Sequence, residues 1–135
     1  MRLFIIPVIS VFLVLITGFS ISTPHFKSEI HPGEKLYKAN CRSCHKLFDG
    51  FIASPLYGAI ERAPNRQWLY KYIRNSAAML GTDSYAKCLQ KKYGLAMTMF
   101  RLSDEEIDAI YAYAYSEAKK RKDVWGNKKY FISCN

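Results

Sequence analysis

Histidine and cysteine are scarce in this chain, which has 135 residues, three histidines and four cysteines. They group closely only between residues 41 and 45, whereas Cys88 and Cys134 are isolated, and His25 and His31 do not have the spacing of a zinc-ligand pair. Structural zinc sites usually need four ligands, arranged as two pairs at short spacings. The missing second pair argues against a zinc module.

Strand-like alternation of apolar and polar residues is also nearly absent. A thiol redox pair of the thioredoxin type would follow a strand within a strand–helix–strand unit. Residues 33–40, just before the first cysteine, have the composition of a helix instead. Thiol redox chemistry therefore remains only a minor alternative.

The grouping at residues 41–45 reads Cys-Arg-Ser-Cys-His. Two thiols at this spacing lie on one helical turn and can add to the two vinyl groups of a haem, and the histidine that follows can bind the iron. This is the attachment motif of a c-type haem. We therefore predict one haem c, covalently attached through Cys41 and Cys44, with its iron bound by His45.

The N-terminal 22 residues resemble an export sequence. Arg2 is followed by an almost unbroken apolar run from Leu3 to Phe19 and then by small residues. This order is typical of a signal peptide, cut here between Ser22 and Thr23, although an uncleaved membrane anchor is the alternative. Residues 1–22 are thus the predicted signal or anchor. Residues 23–135 are the predicted domain, outside the cytoplasm, where disulfides persist.

Helical patterns predict an all-α domain of four or five helices around the haem. The predicted helices are Pro32–Asn40, a short piece at Leu56–Arg62, Arg66–Ser76 capped by Asn65, a helix opened by Thr82 and ended by Gly94, and a last helix after the capping box at Ser103. On the last helix, one buried face is expected to contain Ile107, Ile110, Tyr111 and Ala114.

A methionine can supply the second axial ligand of the iron. Met1 lies in the leader and Met79 follows a helix end, which leaves Met97 and Met99 in the loop before the last helix. An isolated methionine usually fills a gap in the core, but the loop position and the need for a sixth ligand favour ligation here. The residues alone leave Met97 and Met99 as alternatives.

Three segments resemble the class I mono-haem cytochromes c. They are Cys-x-x-Cys-His after a helix containing Gly33, then Met-x-x-Phe, then Leu-Ser-Asp-Glu-Glu-Ile before an aromatic C-terminal helix. The resemblance implies the cytochrome c fold. It also implies Met97 as ligand, because the family's ligand stands three residues before the phenylalanine, although Thr98 replaces the family's proline. Residues 68–76 further resemble cytochrome domains of bacterial respiratory complexes.

The resemblance also implies roles for residues around the haem. The family's Gly-Pro-x-Leu segment corresponds to residues 54–56, so the Pro55 carbonyl is expected to accept a hydrogen bond from the second ring nitrogen of His45. Tyr72 stands where a tyrosine of the family approaches the methionine sulfur. Further candidates, for haem packing and propionate contact, are Trp68 and Arg62.

Iron with both axial positions filled changes little in geometry between oxidation states, and methionine raises its reduction potential relative to two histidines. We therefore predict a one-electron carrier of an extracytoplasmic respiratory chain, in the periplasm or on the outer face of the cytoplasmic membrane, and not an enzyme. One alternative is a permanent cytochrome subunit of a quinol-oxidising or terminal oxidase complex, docked through the tail from Trp125 to Asn135. The other is a gas-binding or peroxidatic haem protein.

Acidic residues are few, 11 against 20 lysines and arginines, and the formal net charge is +9. The densest basic run is Lys119–Lys122, with Lys128 and Lys129 nearby. Nucleic-acid binding is not expected of an exported haem protein, but a basic rim speeds encounter with an acidic partner. We expect redox partners, an oxidase or a quinol-oxidising complex, that dock through an acidic face. Membrane contact is expected only through an uncleaved N-terminal helix.

Two cysteines lie outside the haem motif. Cys88 shares an apolar helix face with Tyr85 and Leu89, and Cys134 follows an aromatic tail segment. In an oxidising compartment, leftover cysteines commonly pair. We predict a Cys88–Cys134 disulfide that folds the tail over the segment before Met97, with two separate buried thiols as the alternative.

Overall fold

The computed structural model describes residues 31–131 and Cys134. Over this part of the chain there are five α-helices, a 3₁₀ turn and no strand, so the all-α prediction is confirmed. The helices are α1 (Pro32–Asn40), α2 (Ala59–Arg62), α3 (Arg66–Met79), α4 (Ser84–Tyr93) and α5 (Asp104–Lys119), and the 3₁₀ turn is Lys128–Phe131. The predicted signal or anchor, residues 1–22, lies outside the described residues.

The first and last helices pack directly against each other. Gly33 is buried at this crossing, and a Cβ added there would overlap the backbone carbonyl of Ala109. Only glycine permits so close an approach of two helix backbones. The crossing brings Cys41, at the end of α1, to the same pocket as Tyr111 of α5.

The predicted capping residues lie at the helix ends where they were expected. Asn65 accepts a hydrogen bond from the backbone N–H of Trp68 at 2.8 Å, and Ser103 and Glu106 form the reciprocal capping box of α5. Gly94 ends α4 with a φ of 84°, in the left-handed region where glycine is favoured. The predicted apolar face of α5 is buried as expected.

Two predicted helix starts were wrong. The fourth helix begins at Ser84 rather than at Thr82, because the Asp83 carboxylate caps it by accepting a hydrogen bond from the Ala86 N–H at 2.7 Å. The second helix begins at Ala59 rather than Leu56, because Gly58 precedes it with a φ of 80°. A Cβ at Gly58 would also overlap the carbonyl of Tyr130.

The apolar side chains form two clusters. The main core, between α1, α3, α4 and α5, contains Tyr37, Leu56, Trp68, Leu69, Tyr70, Ala86, Leu102, Ile107, Ile110, Tyr111 and Ala114. The second cluster lies under the C-terminal tail and contains Tyr57, Ala118, Val124 and Tyr130. The described part of the tail is therefore packed on its own domain, with Trp125 still 47% exposed.

Cys88 and Cys134 form a disulfide, with their Cα atoms 6.1 Å apart, as predicted. The bond ties the tail to α4, and Leu89, the next residue on that helix, lines the inner pocket described below. Within residues 31–131, no helix has the length and apolar character needed to cross a membrane.

Candidate functional site

Residues 41–45 continue from the end of α1 as a tight turn. The backbone N–H groups of Cys41 and Arg42 donate to the Tyr37 carbonyl at 2.9 and 3.0 Å, and the His45 N–H donates to the Cys41 carbonyl at 2.9 Å. Both thiols are free, with Cys41 half-buried and Cys44 exposed. The turn places Cys41, Cys44 and His45 along one cleft.

This cleft has a volume of about 400 Å³ and lies between the cysteine turn and the loop before α5. It continues into a smaller pocket of about 90 Å³ inside the main core. The two share Cys41, His45, Ser54, Tyr72, Leu89, Met97 and Phe100. Residues predicted from separate parts of the sequence, 41 to 45, 72 and 97, thus meet at one site.

The His45 ring is fixed by a backbone carbonyl, but not by the expected one. Its Nδ1 lies 2.7 Å from the carbonyl oxygen of Ser54. Because a carbonyl only accepts, Nδ1 must carry the proton, and Nε2 is left with a lone pair for a metal ion. The prediction that the Pro55 carbonyl accepts this hydrogen bond was wrong by one residue.

The electrostatics around His45 favour the ligand form of its ring. Burial lowers the pKa of the imidazole, while the bond to Ser54 acts in the opposite direction and Arg62 adds to the lowering. The neutral form is the one that binds a metal ion. The backbone is held too, since the buried Tyr37 hydroxyl donates to the His45 carbonyl at 2.9 Å.

The Pro55 carbonyl accepts a hydrogen bond from Arg62 instead. The same guanidinium donates to the carbonyls of Tyr57, at 3.0 Å, and of Tyr130. Arg62 lines the inner pocket, as expected of a haem contact, but three of its hydrogen bonds go to backbone. It joins the loop that orients His45 to the C-terminal tail.

The Cys41 thiol does not have the properties of a redox-active cysteine. Burial, and to a smaller extent the neighbouring Cys44, raises its pKa to about 11. Reactive cysteines have a lowered pKa, because the thiolate is the nucleophile. The other alternative, a metal cluster, also lacks support, since residues 31–131 with Cys134 contain no group of three or more His, Cys, Asp or Glu able to hold an ion.

The two candidate methionines lie in different surroundings. Met97 is half-buried and lines both parts of the site. Met99 is 63% exposed and lines neither of them. Of the two thioethers, the one of Met97 therefore shares the cleft with the His45 ring.

Tyr72 and Trp68 form one aromatic wall of the inner pocket. Their rings are stacked, with centroids 4.8 Å apart and planes inclined by 13°. The Trp68 indole N–H donates to the Asp83 carboxylate at 2.7 Å, so the capping residue of α4 also fixes this wall. Burial raises the pKa of Tyr72, which keeps its hydroxyl protonated.

Three supporting groups were not predicted. The Ser54 carbonyl and the Ser76 hydroxyl, which bonds the Met97 backbone, have no signature in a single sequence, because any residue has a carbonyl and a serine inside a helix is unremarkable. Tyr37 was detectable, since it precedes His45 on the face of α1 that leads to the cysteines.

The donors and the lining fit a covalently attached haem. Two free thiols stand on one turn, an imidazole has its metal-binding nitrogen free, and a thioether lines the same cleft. The inner wall is aromatic and aliphatic, as an apolar macrocycle requires.

The comparisons with known proteins agree with this geometry. The cytochrome c family model matches residues 30–116, which include the cysteine turn, Met97 and most of α5. No protein of curated function matches the chain significantly.

Three solved structures are similar over most of the domain. Cytochrome c from Rhodothermus marinus is 29% identical, with 67% of this chain and 77% of that chain covered and a TM-score of 0.56. An engineered form of that cytochrome is 28% identical over 65% and 76% of the two chains, with a TM-score of 0.54. An engineered form bound to a carbene intermediate is 28% identical over 65% and 75%, with a TM-score of 0.51.

Proposed function

The chain belongs to the cytochrome c family, which binds covalently attached haem and carries electrons, and from this premise we propose that it is a one-electron carrier of an extracytoplasmic respiratory chain. In this proposal His45 and Met97 would bind the haem iron. The observation that supports it most is the convergence of Cys41, Cys44, His45 and Met97 on one cleft.

Each residue of the site has a separate task. The Cys41 and Cys44 thiols would each add across a vinyl double bond, an addition that consumes no oxidant. The Nε2 atom of His45 and the sulfur of Met97 would bind the iron. When bound, the haem supplies the one-electron change, and the protein tunes its potential through the ligands and through burial.

The described surroundings suit a carrier better than a catalyst. The hydrogen bond to Ser54 holds the His45 ring in place. With the Met97 thioether also bound, the iron would have no open position for a substrate. The apolar lining of the inner pocket would disfavour the extra charge of ferric iron. We therefore do not propose an enzymatic activity.

A gas-binding function is the second candidate, because one observation favours it. The loop around Met97 is irregular, and its neighbours Leu95 and Met99 are 71% and 63% exposed. If Met97 left the iron readily, a small ligand could bind there. The subunit alternative has less support, since most of the apolar side chains described in the tail pack on the domain itself.

The mouth of the cleft is the proposed docking surface for redox partners. Ile52 and Leu95 line it and are at least half exposed, beside the exposed Cys44. Lys91 and Lys92 stand in the last turn of α4, next to Tyr93 of the cleft. An apolar mouth with basic neighbours fits a small, transient interface with an acidic oxidase or quinol-oxidising complex.

An oxidising location is proposed as well. The Cys88–Cys134 disulfide is of the kind that persists outside the cytoplasm. Together with the apolar N-terminal run, it supports the periplasm or the outer face of the cytoplasmic membrane.

The proposed function is tested on the full-length holoprotein. Colour should stay with the protein after acid–acetone extraction, and be absent from a variant that combines Cys41→Ala and Cys44→Ala, because both covalent links are then gone. Ferric wild type should show the methionine-to-iron charge-transfer band, and ferrous wild type should bind carbon monoxide poorly.

Two outcomes would contradict this function. Extractable haem in the wild type would contradict covalent attachment. Rapid, tight carbon monoxide binding by the ferrous wild type would contradict the carrier and favour the gas-binding candidate.

A further inference from the structure

The loop that carries Met97 has little structure to hold it. Residues 96–103, between α4 and α5, belong to no helix, and Leu95, Ala96, Thr98 and Met99 are all exposed. The family's proline would stiffen this segment, but Thr98 stands in its place. Some contact outside the loop must therefore keep Met97 turned into the cleft.

Ser76, on α3, makes such a contact. It is fully buried, and among the described residues it is the one buried side chain that is neither aliphatic nor aromatic. Its hydroxyl donates to the backbone carbonyl of Met97 at 2.8 Å. A serine inside a helix commonly bonds a carbonyl of its own preceding turn instead, so this hydroxyl is committed to the loop.

The backbone of α3 explains why the loop can bind there. Asn75 departs from helical geometry, with φ −158° and ψ 76°, and its side chain accepts a hydrogen bond from the Ala78 N–H at 3.1 Å. In a regular helix the Ile73 carbonyl accepts a hydrogen bond from the N–H of the residue four positions later. Here that carbonyl accepts from the Phe100 N–H at 3.4 Å. The interrupted turn thus offers the loop a second point of attachment.

We propose that Ser76 is a positioning residue that keeps the Met97 sulfur on the iron. The proposal rests on the proposed ligation by Met97, because the hydrogen bond from Ser76 goes to the backbone of that residue and not to its sulfur. The hydrogen bond from Ser76 and the one to Ile73 lie on either side of Thr98 and do the work of the missing proline. Loss of the Ser76 bond frees the Met97 carbonyl and lets an added ligand compete for the iron.

The test uses full-length holoprotein and added imidazole as the probe. Ser76→Ala removes the hydroxyl, and Ser116→Ala is the matched control, since Ser116 also donates to a backbone carbonyl at 2.8 Å, that of Tyr113 on α5. The readouts are the charge-transfer band of the ferric protein and the Kd for imidazole. Because one hydrogen bond is lost, Ser76→Ala should bind imidazole roughly tenfold more tightly than wild type.

The outcomes separate this proposal from the proposed function. A weakened band and tighter imidazole binding in Ser76→Ala, with Ser116→Ala like wild type, support the positioning role. Wild-type imidazole affinity and an unchanged band in Ser76→Ala overturn it, as does an equal change in Ser116→Ala. Absence of the band from the wild type would instead overturn the ligation by Met97 itself.

Discussion

The two sides of the cleft are held in different ways. On the His45 side, the ring bonds Ser54, the backbone carbonyl bonds Tyr37, and the Ala53 N–H bonds the Cys44 carbonyl at 3.1 Å. On the Met97 side, the hydroxyl of Ser76 and the weaker bond to Ile73 join the loop to α3 around Thr98. Further along the loop, the Arg74 side chain donates to the Leu102 carbonyl at 2.9 Å. The position of His45 is therefore held more firmly than that of Met97.

Sequence distance explains part of the difference. Tyr37 and Ser54 lie eight and nine residues from His45, so their bonds close short loops. Ser76 lies 21 residues from Met97 and reaches it only when α3 and the loop are packed. Loop closure costs more entropy for the longer separation. Changes that loosen the fold should therefore disturb the methionine side first.

The largest effect is expected from removing the disulfide. A variant with both Cys88→Ser and Cys134→Ser should lose up to about 4 kcal/mol of unfolding free energy, because the bond closes a long loop. Guanidinium unfolding of the holoprotein measures this. With the haem kept ferrous in both proteins, a thiol reductant should destabilise wild type and leave the variant unchanged. A variant as stable as oxidised wild type would show that the tail needs no covalent tie.

A smaller effect is expected from Arg62→Met, which attacks the His45 side. Loss of the donors to Pro55, Tyr57 and Tyr130 should cost roughly 1–3 kcal/mol. Loss of a positive charge that lines the pocket should also lower the reduction potential, because the extra positive charge of ferric iron is then repelled less.

Arg66→Met is the control for Arg62, since the Arg66 side chain is 52% exposed and pairs with Asp108 on the surface. Its effect on stability should be small and its effect on potential smaller still. Equal shifts of potential in the two variants would contradict a local role for Arg62.

The smallest effect is expected from Asp83→Ala, which removes the cap of α4 and the partner of the Trp68 indole. The expected loss is about 1 kcal/mol. Hydrogen bonds, first that from the Ala86 N–H, lower the pKa of Asp83 below its ordinary 3.8. A lowered pKa means that the contribution is present above pH 3.8 and disappears as the pH falls through the folded-state value.

Urea unfolding of wild type and Asp83→Ala at several pH values measures this contribution. The gap between the two should close in acid, with the exposed Asp49→Ala as control. A gap that stayed constant down to the most acidic pH would contradict the assignment.

Local signals in the sequence predicted much of the molecule. The cysteine turn, the caps at Asn65 and Ser103 and the end of α4 at Gly94 each depend on a few neighbouring residues. The disulfide was also predictable, because two cysteines remained after the haem motif was assigned.

What escaped prediction depends on backbone placement or distant packing. The change of partner from Pro55 to Ser54 is a shift of one carbonyl, which side-chain identity does not encode, and Arg62 occupies the other carbonyl from a later turn of the chain. The interruption of α3 at Asn75 lies within a strongly helical sequence pattern, which gives no local signal for it.

The central claim is that His45 and Met97 both bind the haem iron and leave no position open to other ligands. Carbon monoxide binding to ferrous Met97→Ala and Met99→Ala holoproteins tests this claim most directly. Met97→Ala should bind carbon monoxide readily and lose the charge-transfer band of its ferric form, while Met99→Ala behaves as wild type. The account would be contradicted if Met99→Ala bound carbon monoxide readily while Met97→Ala did not bind it and kept the charge-transfer band.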